Sequence, residues 1–315
     1  MSNNQYNCVQ IIDDSDDESE VKEDEIIIEP LKKARKPRVK KAKEVILVEE
    51  DISISESPIS TSTSTSTSTS TSTSTSTSTS TTTPVCLLKK YMHEQETLEI
   101  GADEAGRGPM LGRVYSGAVI LPKDDSFDHF KMKDSKKFTS KNPKKIQEVA
   151  EYIKQHAICW AVEYEDERVI DEINILQATQ SAMHKAIKSV IRQLEQLENV
   201  SVGQNYNNLL LLIDGNYFKQ LTILNKGKTK LVHINYETVE GGDNKFTSIA
   251  AASILAKVER DKYIYKLCEE NPELIERYGI DSNKGYGSKK HMDGIKTYGI
   301  TKWHRRTFGI CKTFM

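Results

Sequence analysis

At 315 residues, 37% hydrophobic and 29% charged, the chain is long enough to bury a sizeable core, and none of its apolar runs approaches membrane-spanning length. Its formal charge of −2 hides an asymmetry: residues 1–59 hold 15 acidic and 9 basic side chains, so the remainder carries about +4, which suits a polyanionic partner. Five scattered cysteines without CxxC spacing argue against a disulfide framework or a thiolate metal cluster and fit free thiols in a reducing compartment.

The first 85 or so residues cannot build a core. An acidic block from Asp13 to Glu25 precedes Ile26-Ile27-Ile28, and a basic block runs from Lys32 to Lys43. A second apolar-acidic stretch, Val45 to Asp51, leads into near-pure Ser-Thr alternation from Ser60 to Thr83. Small hydroxylated side chains cannot offset the entropy of ordering such a tract. We therefore expect a disordered charged arm over 1–59, a low-complexity linker over 60–83 and one globular domain over 84–315. The basic block at 32–43 reads as a nuclear-import signal, a non-specific nucleic-acid arm or a charge-balancing segment. Ile11-Ile12 and Val45 to Val48, each beside acids, suit strand addition to a partner such as a ubiquitin-like modifier. No signal-peptide pattern opens the chain, so a soluble, intracellular and cytoplasmic monomer is expected, with the nucleus an alternative.

From Thr97 strands and helices alternate. Leu98 to Ala102 reads as a strand running into Asp103, and Val114 to Leu121 as a second strand. Pro143 to His156 has helical spacing, with Asn142 as cap. Ile158 to Tyr164 is strand-like, and Ile173 to Leu197 is a long amphipathic helix. Leu209 to Ile213 is the continuous apolar run of a buried central strand, ending at Asp214-Gly215. One strand is expected over Val232 to Tyr236, one helix over Ser248 to Leu267, and shorter helices around Ser288 to Thr297. Three successive alanines, Ala250 to Ala252, suggest close packing of that helix on the sheet. The pattern is an α/β domain: a mixed sheet flanked by helices, helix-rich at its C-terminal end.

Acids fall where strands end: Asp103 and Glu104, then Asp214, then Asp243 ahead of a helix. Each alone would read as a turn residue or cap. Together, with no His or Cys among them, they form an oxygen-only donor set suited to Mg²⁺ or Mn²⁺, and two such ions can serve phosphodiester hydrolysis. Neighbouring strand residues point to opposite faces, an objection to joint use of Asp103 and Glu104 that weakens if the strand ends there, at Gly106 and Gly108. The loop Gly106-Arg107-Gly108-Pro109 allows close backbone approach to a ligand such as a ribose 2′-hydroxyl.

Ile100 to Pro109 (IGADEAGRGP) resembles the opening signature of the ribonuclease HII family. Asp134-Ser135-Lys136-Lys137, Leu212 to Asn216, and Gly242-Asp243 followed by Ala250 to Asp261 are similar to further family motifs. So are Lys284-Gly285-Tyr286 and His304 to Gly309, and the six occur in family order from about Leu98 to Lys312. The resemblance implies a ribonuclease H-like fold with a C-terminal helical extension and Asp103, Glu104, Asp214 and Asp243 as metal ligands. It also implies a substrate of RNA–DNA hybrid, or of duplex DNA bearing a ribonucleotide, cut to leave 5′-phosphate and 3′-hydroxyl ends. Gly106, Arg107 and Gly108 would read the 2′-hydroxyl, Tyr286 would stack on the sugar beside the junction, and Ser135, Lys136 and Lys137 would contact phosphates. Asn283, Gly287 and Trp303 depart from residues frequent in the family, which bears on substrate preference and leaves every acid in place. Tyr286 has a second reading as a buried aromatic beside a turn, and His304-Arg305-Arg306 reads as a basic phosphate patch or a solvated face. A catalytically idle hybrid-binding module would lack an acid, and a type 3 enzyme would lack the Gly-Arg-Gly.

Overall fold

The apolar run at 209–213 forms an interior strand of a five-stranded sheet in the computed structural model, which describes residues 88–93, 97–132, 143–197 and 204–314. The strands are β1 (Leu98–Ala105), β2 (Val114–Ile120), β3 (Cys159–Glu165), β4 (Leu209–Asp214) and, after a small hairpin of β5 (Thr222–Leu224) and β6 (Leu231–His233), β7 (Asn235–Val239). Their order is β3-β2-β1-β4-β7. The first three are antiparallel, whereas β4 runs parallel to β1 and β7 parallel to β4.

Period-2 alternation gives each face of this sheet its own cover. Ile100, Ala102, Leu209, Leu211 and Ile213 face α2 (Glu167–Gln196), packing on Met183, Ile187, Ile191 and Leu194. On the other face lie α1 (Pro143–His156) and α3 (Thr247–Glu270), where Val149, Ile153, Ala250, Ile254 and Leu255 share one cluster with Val119. The first ten residues of α3 are all buried, which explains why they show no polar stripe. A Cβ on Gly101 would stand 2.3 Å from the Ser248 carbonyl carbon, and one on Gly117 would stand 2.4 Å from the Ala252 oxygen. Glycine on the strands and alanine on the helix thus let α3 lie directly on β1 and β2, as the alanine run suggested.

Three expectations need adjustment. The long helix begins at Glu167, capped by Asp166, and is interrupted at Asn174, whose φ of 69° and ψ of 161° break the helical path. Asn174 Oδ1 then accepts from the amides of Leu176 and Gln177, so it starts the second helical piece near where periodicity alone placed the beginning. Leu176, expected on the packed face, is exposed. The strand expected over Val232 to Tyr236 is two strands: buried Ile234 separates β6, which pairs with β5, from β7, which joins the main sheet.

At the C-terminal end, α4 (Glu273–Tyr278), α5 (Ile280–Asn283) and α6 (Lys289–Tyr298) build a satellite core with the end of α3, around Ile264, Leu267, Leu274, Tyr278 and Ile295. Cys159, Cys268 and Cys311 are buried free thiols. Residues 1–87, with the arm, the linker and the basic block, and residues 133–142, with Ser135, Lys136, Lys137 and Asn142, lie outside the described residues. Among the described residues, no helix is long and apolar enough to cross a membrane.

Candidate active site

The acids gather where β1 and β4 end side by side. The parallel register pairs Ala102 with Ile213, so Asp103 and Asp214 occupy the next positions on adjacent strands. Asp103 shares the parity of Gly101 and Asp214 that of Leu212, so both lie on the α3 face. Asp103 is buried and bonded to Ser253, one of the small residues of α3. Gly241, in the left-handed region at φ 62°, then turns the chain into a short 3-10 turn over Gly242–Asn244. The Gly242 amide donates to Asp214 Oδ1 at 2.6 Å, which ties the turn carrying Asp243 to the end of β4, and Asn244 Nδ2 donates to Asp243 Oδ1 at 3.0 Å.

Burial, and then the charges of Glu104 and Asp214, push the Asp103 carboxyl well above its usual range. Glu104 lies within the regular part of β1, so the strand does not end early enough to turn both side chains the same way. Its Oε1 accepts from the Arg107 guanidinium at 3.1 Å. Among the described residues, no three His, Cys, Asp or Glu side chains stand ready-assembled around a metal position. The donor set still fits a hard divalent cation. Its candidate donors are all carboxylate oxygens, and the repulsion from Glu104 and Asp214 that adds to the effect of burial on Asp103 is what such an ion would relieve.

The glycine loop stands beside these acids and against Tyr286. Gly106 has a φ of 94°, and a Cβ there would lie 2.2 Å from Arg260 Nε, so both backbone conformation and space require glycine. A Cβ on Gly108 would touch the Tyr286 ring at 3.3 Å. Tyr286 is about half exposed, which removes its reading as a buried aromatic.

What holds the loop was not anticipated. Arg305, fully buried, donates to four carbonyls of the loop and its exit: Gly106 at 2.7 Å, Arg107 at 3.0 Å, Pro109 at 2.8 Å and Gly112 at 2.8 Å. Buried Arg260 reaches the Lys284 carbonyl at 2.9 Å from beneath the Tyr286 turn. With its carbonyls engaged from below, the loop is fixed in shape. The basic run His304-Arg305-Arg306 is therefore neither a phosphate patch nor a solvated face as a unit: His304 and Arg305 are interior, and only Arg306 is exposed. In sequence, an arginine at the core of a loop anchor looks the same as one on a surface. His184 is a packing residue, bonded to the Lys219 carbonyl and set edge-on to Phe218.

The chain is similar to known proteins along most of its length. The ribonuclease HII family pattern matches residues 100–311. Ribonuclease HII of Chlorobium luteolum is 39% identical over 231 residues, covering 72% of this chain and 96% of that protein. The enzyme of Bacteroides thetaiotaomicron is 42% identical over 224 residues, covering 71% and 95%. The ribonuclease H2 crystal structure from Pyrococcus horikoshii aligns with a TM-score of 0.48 at 23% identity, covering 68% of this chain and 95% of that one. The chain belongs to the ribonuclease HII family and is a metal-dependent ribonuclease H, acting on RNA–DNA hybrids.

Proposed function

We propose that the enzyme both cuts the RNA strand of hybrids and incises 5′ of a single ribonucleotide in duplex DNA, leaving 5′-phosphate and 3′-hydroxyl ends. Asp103, Glu104, Asp214 and Asp243 would hold two divalent ions, Mg²⁺ or Mn²⁺, which when bound supply an activated water and stabilise the leaving oxygen. The observation that carries this reading is the meeting of Asp103 with Asp214, and of Asp214 with the Gly242-Asp243 turn, beside the glycine loop. Amides of the loop Gly106-Arg107-Gly108 face a 2′-hydroxyl, and Tyr286 packs on the neighbouring sugar, so a lone ribonucleotide suffices for recognition. Ser135, Lys136 and Lys137 add phosphate contacts, which position the duplex without reading its sequence.

In this reading residues 84–315 form the catalytic unit, 60–83 the linker and 1–59 an arm available to a protein partner, and the enzyme works as a cytoplasmic monomer. Bacterial relatives have no nucleus, so nothing among them supports import through residues 32–43. The test is incubation with a duplex bearing one ribonucleotide, under Mg²⁺ and under Mn²⁺, alongside Asp214→Asn. A single cut 5′ of the ribonucleotide by the wild type alone is expected; equal cutting by the variant would defeat the assignment.

A further inference from the structure

The His291 and His304 rings meet inside the C-terminal helical region, Nε2 to Nε2 at 3.1 Å, with both residues at most 1% exposed. Their surroundings determine where each proton sits. The Thr301 backbone amide can only donate, and it points at His304 Nδ1 at 2.9 Å, so that nitrogen is an acceptor. A neutral His304 then carries its proton on Nε2 and donates it to His291 Nε2. His291 must in turn be protonated on Nδ1, which lies 2.9 Å from the carbonyl oxygen of Tyr286. The same carbonyl accepts the Ser288 amide at 2.8 Å.

The order of donation runs one way, Thr301 amide, His304, His291, Tyr286 carbonyl, with the Thr301 hydroxyl a second neighbour of His304 Nδ1 at 2.8 Å. Burial holds His304 neutral, its pKa pushed down to about 3 with His291 adding to the effect, and burial also lowers His291. Tyr278 walls the pair, its ring edge-on to both and its hydroxyl donated to the Gly299 carbonyl. Backbone contacts also tie this region to Met110 and Leu111, the residues that follow the glycine loop. Leu111 bridges His304, the Arg305 amide donates to the Met110 carbonyl, and the Met110 amide donates to the Gly285 carbonyl.

We infer that the buried His291–His304 pair is a positioning relay that sets the attitude of Tyr286 relative to the Gly106–Gly108 loop. The turn carrying Tyr286 needs such a hold. Lys284 and Gly285 sit at φ 53° and 82°, and a residue other than glycine in the left-handed region is costly unless neighbouring bonds fix it. Without the His291 bond, one of the two donors to the Tyr286 carbonyl is lost, and the exposed ring loses its fixed stance beside Gly108. The proposal rests on the reading of Tyr286 as a sugar contact.

Two measurements test it. Nitrogen-15 NMR of the histidine rings in the full chain at pH 7 should show His304 neutral with its proton on Nε2 and His291 neutral with its proton on Nδ1. A charged ring, or the opposite tautomers, overturns the relay whatever any variant does. Kinetics on a duplex with one ribonucleotide then compare His291→Leu, His291→Asn and Tyr286→Ala, each checked by thermal melting. His291→Leu should raise KM about tenfold, the scale of one lost hydrogen bond, and change kcat less. Asn can place an amide donor where Nδ1 stood, so His291→Asn should recover most of that loss. If Asn behaves like Leu, the histidine only fills space and the relay is wrong. If Tyr286→Ala raises KM but His291→Leu does not, the relay fails and the tyrosine contact stands. If Tyr286→Ala has no effect, the contact fails and takes the relay with it.

Discussion

The Gly242 amide donates to Asp214 Oδ1 over 2.6 Å, so a single bond ties the third acid to the backbone that carries the fourth. Asn at 214 keeps an oxygen for that amide but loses the negative charge, whereas Ala loses both. Asp214→Asn should therefore lower turnover by roughly 100-fold or more, equivalent to about 3 kcal/mol of transition-state stabilisation, with little change in Tm. Asp214→Ala should show the same loss of turnover and in addition melt lower by some degrees, since an amide that had a partner is left without one. Single-turnover cleavage beside calorimetry separates the two effects.

The raised pKa of Asp103 makes a prediction about the metal-free protein. A carboxyl whose folded pKa lies above its unfolded value supports the fold fully below the unfolded pKa of about 3.8, and that support is lost as pH rises through the folded value. Asp103→Asn removes the charge that burial, Glu104 and Asp214 oppose. In the presence of a chelator it should be more stable than wild type at pH 7, by an amount that shrinks as pH falls toward 4. Denaturant midpoints across that range decide the matter, and an advantage that grew on acidification would contradict the assignment.

Arg305 anchors the glycine loop through four carbonyls, a geometry that needs the planar guanidinium fork. Lysine keeps the charge but cannot reach all four. Arg305→Lys should cost about 3 kcal/mol, a fall in Tm of roughly 6–12 °C, and should weaken discrimination between ribonucleotide and deoxyribonucleotide substrates. Melting curves and the ratio of cleavage rates on the two duplexes are the measurements.

Replacing Lys136 and Lys137 together by alanine should reduce the slope of log Kd against log salt by about two, since each phosphate contact contributes roughly 0.9 on a duplex. Binding would weaken on every sequence alike. An unchanged slope would remove these lysines from the nucleic-acid surface.

Much of this was legible along the chain. The run Leu209 to Ile213 announces a strand buried on both faces, because only a central strand can carry five successive large apolar residues. The four acids and the Gly-Arg-Gly could be named because carboxylate and glycine chemistry is local, and their resemblance to a family ordered them. The hairpin Thr222 to His233 was missed because its strands are three residues each, too short for alternation to register.

The sequence by itself determined which groups are candidates for the chemistry: oxygen donors at strand ends, a glycine loop, an aromatic after a turn. Only tertiary structure decided where charge is buried. Arg260, Arg305, His291 and His304 look like ordinary solvated side chains in the linear chain, yet they form the floor beneath the loop and Tyr286. The physical reason is that a buried polar group is stable only when distant segments supply its partners, and those partners, from Gly106 to Thr301, meet only once the chain has folded.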